Sequence, residues 1–170
     1  MNETIRLTLT LTIICILSAV ALSFVYENMN PIIEENKAIR LKAALKEVIP
    51  LADNFEEAGD IQKSEEIIYI FRGLKDNRII GYAILSEALG YGGDIKILTG
   101  INKDKEIIGI KIMEHLETPG LGARIEEEEF LGQFIGNPES IDAITGATIS
   151  STAVIDTVED LINSVSIKTR

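Results

Sequence analysis

Hydrophobic and polar positions divide this chain into three regimes. Residues 7–25 form the first, nineteen positions without a charge between Arg6 and Glu27. As a helix this run is about 28 Å long, close to the roughly 30 Å hydrocarbon core of a bilayer. Its five hydroxyls (Thr8, Thr10, Thr12, Ser18, Ser23) can each bond a carbonyl one turn back, so they do not argue against a span. Ala19-Val20-Ala21 has the small-x-small form of a signal-peptide cleavage site. Apolar residues nevertheless continue through Leu22, Phe24 and Val25, and Glu3 offsets Arg6 ahead of the run. Residues 1–26 therefore read as an uncleaved transmembrane anchor that meets lipid through residues 7–25. Ile14 stands where a lipoprotein signal needs a small residue, so Cys15 reads as an apolar cysteine within the anchor.

The second regime predicts a helix over 31–49, with Pro31 at its start and Pro50 past its end. Residues 51–66 are polar, contain Gly59 and read as a loop. The third is β-rich. Runs at 67–74, 79–85, 95–101 and 107–114 carry the Ile, Tyr, Phe and Val content of strands. Asp76-Asn77 and residues 102–105 are the expected hairpin connections. Residues 124–134 predict a short helix whose acids, Glu126 to Glu129, form a solvated face. Residues 151–165 predict a terminal helix with a stripe of Val154, Ile155, Val158, Leu161, Ile162 and Val165. The expected fold class is α+β: an N-terminal transmembrane helix, then one domain over 27–170 with a mainly antiparallel sheet and flanking helices.

Charge narrows the function. The formal net charge is −11, and because residues 1–26 hold one acid and one base, all of it falls on residues 27–170. Such a domain argues against a nucleic-acid partner and repels anionic head groups, which leaves the anchor to hold it at a membrane. One cysteine excludes an intrachain disulfide, a cysteine-based zinc cluster and an iron–sulfur centre. No metal site is expected. His115, the single histidine, has no neighbour at metal-ligand spacing and reads as structural or solvent-facing; Glu114 and Glu117 beside it do not define an acid/base pair.

Three glycine-containing clusters interrupt the regular segments. Gly90-Tyr91-Gly92-Gly93 permits positive φ and close backbone approach. His115-Leu116-Glu117-Thr118-Pro119-Gly120-Leu121-Gly122 has a rigid Pro-Gly turn. Asp142-Ala143-Ile144-Thr145-Gly146-Ala147-Thr148-Ile149-Ser150-Ser151-Thr152 places five hydroxyls in residues 145–152, at the start of the terminal helix. Free N–H groups and the helix dipole suit that position to a phosphate. An N-cap built on Ser150 or Ser151 accounts for the same hydroxyls without any ligand. The lysine of a Walker loop is absent.

Taken in order, GYGG, HLETPGLG and DAITGATIS resemble the FMN-binding domain of the Rnf and Nqr electron-transport complexes, most closely the RnfG family. In these proteins FMN is joined by a phosphoester to the last position of a D-x-x-[ST]-G-A-[ST]-x-[ST] pattern. The resemblance implies Asp142 as the first position, Thr145, Gly146, Ala147 and Thr148 as the middle, and Ser150 as the covalent acceptor, with serine where threonine is commoner. Ser151 and Thr152 are the alternatives if the register slips. It also implies a flavin transferase that uses FAD and Mg²⁺, a step that Asp142 would serve. Gly92, Gly93, Glu117, Thr118, Gly120 and Leu121 would line the flavin. The implied function is an extracytoplasmic, single-pass FMN relay at the cell membrane. Its partners would be the other subunits of an ion-translocating ferredoxin:NAD⁺ oxidoreductase, with no complete active site in this chain. Alternatives are the NqrC component of the Na⁺-translocating NADH:quinone oxidoreductase, another flavinylated extracytoplasmic redox protein, and a membrane-anchored binding module without flavin.

Overall fold

A computed structural model describes residues 2–59, 66–136 and 140–164. Its contacts divide the chain into two units between Arg40 and Leu41. Helix α1 (Glu3–Val48) runs through this division. Its N-terminal part is exposed along its length, and by length and composition it can cross a membrane, consistent with a single-pass protein. The hydroxyls of Thr8, Thr10 and Thr12 each donate to the carbonyl four residues back, which satisfies them without water.

The expected helix start at Pro31 is not there; Pro31 lies inside α1. Asn30-Pro31 imitates a cap followed by a first helical residue. Proline in fact removes only one N–H from the helical ladder. The strong helix formers from Glu34 to Glu47 carry the helix on.

The second unit is built on a five-stranded antiparallel sheet in the order β1-β2-β3-β4-β5. Its strands are β1 (Asn54–Glu57), β2 (Ile67–Lys75), β3 (Arg78–Leu89), β4 (Asp94–Asn102) and β5 (Ile107–Glu114). β1 lies within the segment expected to be a loop. It is an edge strand whose side chains are exposed apart from a partly buried Phe55, so it shows no alternation to read. The expected hairpins are present: Asp76 and Asn77 both take positive φ, and Asn102 Oδ1 accepts the N–H groups of Asp104 and Glu106.

Both faces of the sheet are covered, which explains the near-continuous apolar runs of β3 and β4. On one face Ala44, Leu45, Val48, Ile49 and Ala52 pack on Ala83, Leu85 and Leu98. Gly100 and Gly109, paired across β4 and β5, let the chain approach this closely. A Cβ on either would stand 2.5 or 2.6 Å from the Val48 carbonyl oxygen.

The other face is covered by α3 (Thr148–Ser164) through Val154, Val158 and Leu161, with Ile125, Phe130, Phe134 and Ile144 beside them. The expected helix over 124–134 is broken into a 3-10 turn at Gly122–Glu126, α2 (Glu128–Leu131) and a second 3-10 turn at Gly132–Phe134. Glu126 to Glu129 are all exposed, as a solvated face requires. α3 starts at Thr148, ahead of the expected Ser151, while Val165 lies outside the described residues.

Candidate functional site

The three glycine clusters meet around one side chain, Glu117. The β3–β4 connection brings Gly92, the segment after β5 brings Glu117, and the first turn of α3 brings Ser150. Glu117 is only 5 % exposed. Its Oε1 accepts the Gly92 N–H at 3.0 Å, and its Oε2 accepts the Ser150 hydroxyl at 2.6 Å. Among the described residues, no lysine, arginine or histidine is ion-paired with it. A buried carboxylate without a cation is costly, so the two donated hydrogen bonds are its compensation.

Glycine makes the room for it. A Cβ at Gly90 would stand 2.1 Å from Glu117 Oε1. One at Gly122 would stand 2.5 Å from Oε2 and 3.1 Å from Ser150 Oγ, and one at Gly92 2.2 Å from the Leu116 carbonyl oxygen. The glycines that read as space for a ligand thus also seat a carboxylate.

The backbone of Glu117 is held by His115, whose Nδ1 accepts the Glu117 N–H at 3.0 Å. Its Nε2 lies 3.2 Å from Glu126 Oε1, so both ring nitrogens have partners. This lone histidine is structural. Glu114, by contrast, is bonded to Lys96 at 2.7 Å across β4 and β5, and this hydrogen bond raises the lysine pKa. The two glutamates flanking His115 therefore have separate partners.

A cleft of about 420 Å³ opens over Ser150 and Glu117. Tyr91 lines it from the first cluster; Glu117, Thr118, Leu121 and Gly122 from the second; and residues 146–150 from the third. Tyr91, Leu121 and Ile149 present exposed apolar surface there, and Ser150, 2 % exposed, is its buried hydroxyl. Tyr91, Gly122 and Ile149 stand inside the quoted motifs, but which of them face the cleft depends on tertiary packing.

The remaining expected residues lie elsewhere. Gly92 touches the cleft through Glu117, and Gly93, at φ +145, packs against Leu116. Gly120 is a positive-φ turn with open space around it. Asp142 and Thr145 line a second cleft of about 420 Å³ with Arg124, Glu127, Phe130 and Gln133. There the Asp142 N–H donates to Gln133 Oε1 at 2.9 Å and Arg124 Nη1 donates to the Thr145 carbonyl at 3.4 Å.

Ser150 and Ser151, the two expected caps, have different roles inside the first turn of α3. Ser151 Oγ accepts the Ile144 N–H at 3.0 Å and lies 2.9 Å from the Ala147 carbonyl, to which it donates, so it secures the turn that precedes the helix. Ser150 makes no such local bond; its hydroxyl points to Glu117.

The chain is similar to known proteins. Residues 90–163 match the FMN-binding domain. The chain is 32% identical to the G subunit of the ion-translocating oxidoreductase complex of Methanosarcina acetivorans, across 97% of this chain and 96% of that protein. It is 29% identical to the G subunit of the proton-translocating ferredoxin:NAD(+) oxidoreductase complex of Clostridium ljungdahlii, across 96% and 92%. With the corresponding protein of the Na(+)-translocating complex of Acetobacterium woodii it shares 33% identity, across 88% and 85%. The crystal structure of Shewanella oneidensis NqrC superposes with a TM-score of 0.50 at 17% identity, over 68% of this chain and 67% of that one, a likeness of fold alone.

Proposed function

The chain belongs to the G-subunit family of ion-translocating oxidoreductase complexes, and from that premise we propose that it carries FMN, joined through a phosphoester to Ser150, as an electron relay within a ferredoxin:NAD⁺ oxidoreductase of the Rnf type. The observation that carries this reading is the placement of Ser150. It is the buried hydroxyl of a cleft formed by all three family motifs, at the first turn of a helix, and it is not used to cap that helix.

The cleft fits the group. Its volume lies in the range of about 300–1,000 Å³ usual for small-molecule sites. Tyr91, Leu121 and Ile149 offer apolar surface to a tricyclic ring. Gly146, at φ +88, and Ala147 keep the turn before α3 free of bulk. The first-turn N–H groups and the dipole of α3 favour an anion at Ser150. Thr118 and Thr148 line the same space. Bound FMN supplies one-electron redox chemistry, while the protein supplies retention, orientation and the surrounding field.

In this reading the other subunits of the complex are the electron partners, and the chain has no complete active site of its own. The domain lies on the extracytoplasmic side, where a tethered cofactor cannot be lost by diffusion. A separate flavin transferase, using FAD and Mg²⁺, makes the bond. Asp142 and Thr145, exposed on the second cleft, are the part of the motif open to that enzyme, while residues 146–150 face the cofactor.

The test is the intact mass and denaturing-gel fluorescence of protein from cells containing the transferase. The expected result is a gain of FMN less one water, with fluorescence that survives denaturation and is absent from Ser150→Ala. An unmodified wild-type mass, or a modified Ser150→Ala, would reject the assignment.

A further inference from the structure

Resting on the reading of Ser150 as the flavin acceptor, we propose that Glu117 is the general base of its modification: the acceptor protein carries the base that activates its own serine. Serine is a poor nucleophile unless a neighbouring base takes its proton. Glu117 meets the geometric requirement. Its Oε2 lies 2.6 Å from Ser150 Oγ, within the reach a proton transfer needs. The hydroxyl donates to the carboxylate, so the proton already points at its acceptor.

The carboxylate is held in that position. The Gly92 N–H occupies Oε1, His115 fixes the backbone N–H, and Gly90 and Gly122 leave the space in which it fits. The other groups facing the pair are polar or apolar. Tyr91, Thr118 and Leu121 come from the two loops and Thr148 from α3, while the Arg124 guanidinium is engaged with Glu127 and the Thr145 carbonyl. Among the described residues no cation is ion-paired with this carboxylate, and its Oε2 is directed at the Ser150 hydroxyl.

The step balances. The Ser150 Oγ–P bond forms to the flavin-side phosphorus of FAD as the P–O bond to the adenylate half breaks, and AMP leaves. The Ser150 proton passes to Glu117 Oε2. The new phosphodiester bears one negative charge, and the protonated Glu117 beside it bears none. The cleft therefore holds one charge before and after, and two adjacent buried anions are avoided. Glu117 keeps this proton in the modified protein.

The experiment measures transfer by purified transferase to the full-length protein in detergent, followed by intact mass, with thermal melting of every variant. Glu117→Gln preserves length, and its amide can accept the Gly92 N–H through oxygen while its NH2 donates to Ser150 Oγ, but it cannot take the proton. It is expected to melt like the wild type and keep the KM for the acceptor protein. Its kcat should fall by about 100-fold or more, the usual worth of a positioned base. Glu117→Asp, which restores a carboxylate, is expected to be at least about ten times faster than Glu117→Gln. A wild-type kcat for Glu117→Gln, or Asp no faster than Gln, overturns the proposal while leaving the acceptor assignment intact. Failure of the wild type to gain mass, or gain by Ser150→Ala, instead strikes the acceptor assignment. One measurement needs no substitution and decides the matter should Glu117→Gln not fold. The infrared difference between modified and unmodified wild type is expected to show one additional protonated carboxyl, and its absence overturns the proposal.

Discussion

On one face of the sheet the end of α1 contributes Ala44, Leu45 and Val48, with Ile49 just beyond it, to an apolar cluster. On the other, the valines and leucine of α3 share the interior with Ser86, Thr99, Ser150, Ser151 and Thr157, and Glu117 lies below the first turn of the helix. Both sides rely on missing Cβ atoms, to opposite ends. Gly100 and Gly109 admit a piece of backbone, whereas Gly90 and Gly122 admit a carboxylate. The first arrangement maximises burial at little polar cost. The second accepts buried polar groups and gains a fixed constellation of hydroxyl and carboxylate. A glycine is therefore not in itself a sign of a ligand site; what it makes room for decides.

The largest effect is expected where the α1 face is broken. Gly109→Val places a branched side chain against the Val48 backbone, 2.6 Å from its oxygen and 2.7 Å from its Cα, and backbone atoms on both sides cannot give way. The expected cost is about 3 kcal/mol, at the upper end for overpacking, read by thermal or urea denaturation of the detergent-solubilised chain. The folded fraction should still accept flavin at the wild-type rate, because this contact shares no atom with Glu117 or Ser150. Loss of flavin loading from folded protein would show that the two faces are coupled.

Ser151→Ala attacks the other face and should reverse that balance. It leaves the buried Ile144 N–H without its acceptor, a loss of about 2 kcal/mol for an unsatisfied buried donor. The smaller stability change should carry the larger functional one, since the released turn, residues 144–147, runs directly into the cleft. A flavin-loading rate at least about tenfold slower is expected, on the general ground that small misplacements of reacting groups are costly. Wild-type loading in Ser151→Ala would mean that α3 alone positions Ser150.

The sequence was most readable where a residue's environment is local. The apolar content of β2 to β5 and the periodicity of α3 report burial directly, and the turn chemistry of Asp76-Asn77 and Asn102 is contained within a few residues. β1 was hidden because an edge strand of exposed side chains owes its existence to backbone bonds with β2. Pro31 misled because its missing N–H looks the same at the start of a helix and inside one. The motifs brought Ser150, Glu117 and residues 146–148 into view through resemblance. Their physical relation was not legible: 33 positions separate Glu117 from Ser150, and nothing near either residue shows that they touch. The carboxylate that reads as a neighbour of His115 is, in space, the partner of the serine.

Thr99→Val tests whether every polar position under α3 belongs to the site. Thr99 Oγ1 is buried and, among the described residues, the one side-chain polar atom of its kind without a hydrogen-bond partner. It lies on β4 between Ile97 and Ile101 on the same face, opposite Ile84 on β3 and Ile110 on β5. Valine keeps its shape and replaces an unpaired hydroxyl with a methyl, so a gain of about 1 kcal/mol is expected, the lower part of the range for an unsatisfied buried group. The melting temperature should rise by a few degrees or so. Flavin loading should not change, because the hydroxyl bonds neither Glu117 nor Ser150. A destabilised Thr99→Val would mean that a buried water completes the hydroxyl's bonding. Slower loading would instead extend the functional constellation from the cleft into the sheet, making the contrast between the faces one of whole surfaces rather than of a few side chains at the start of α3.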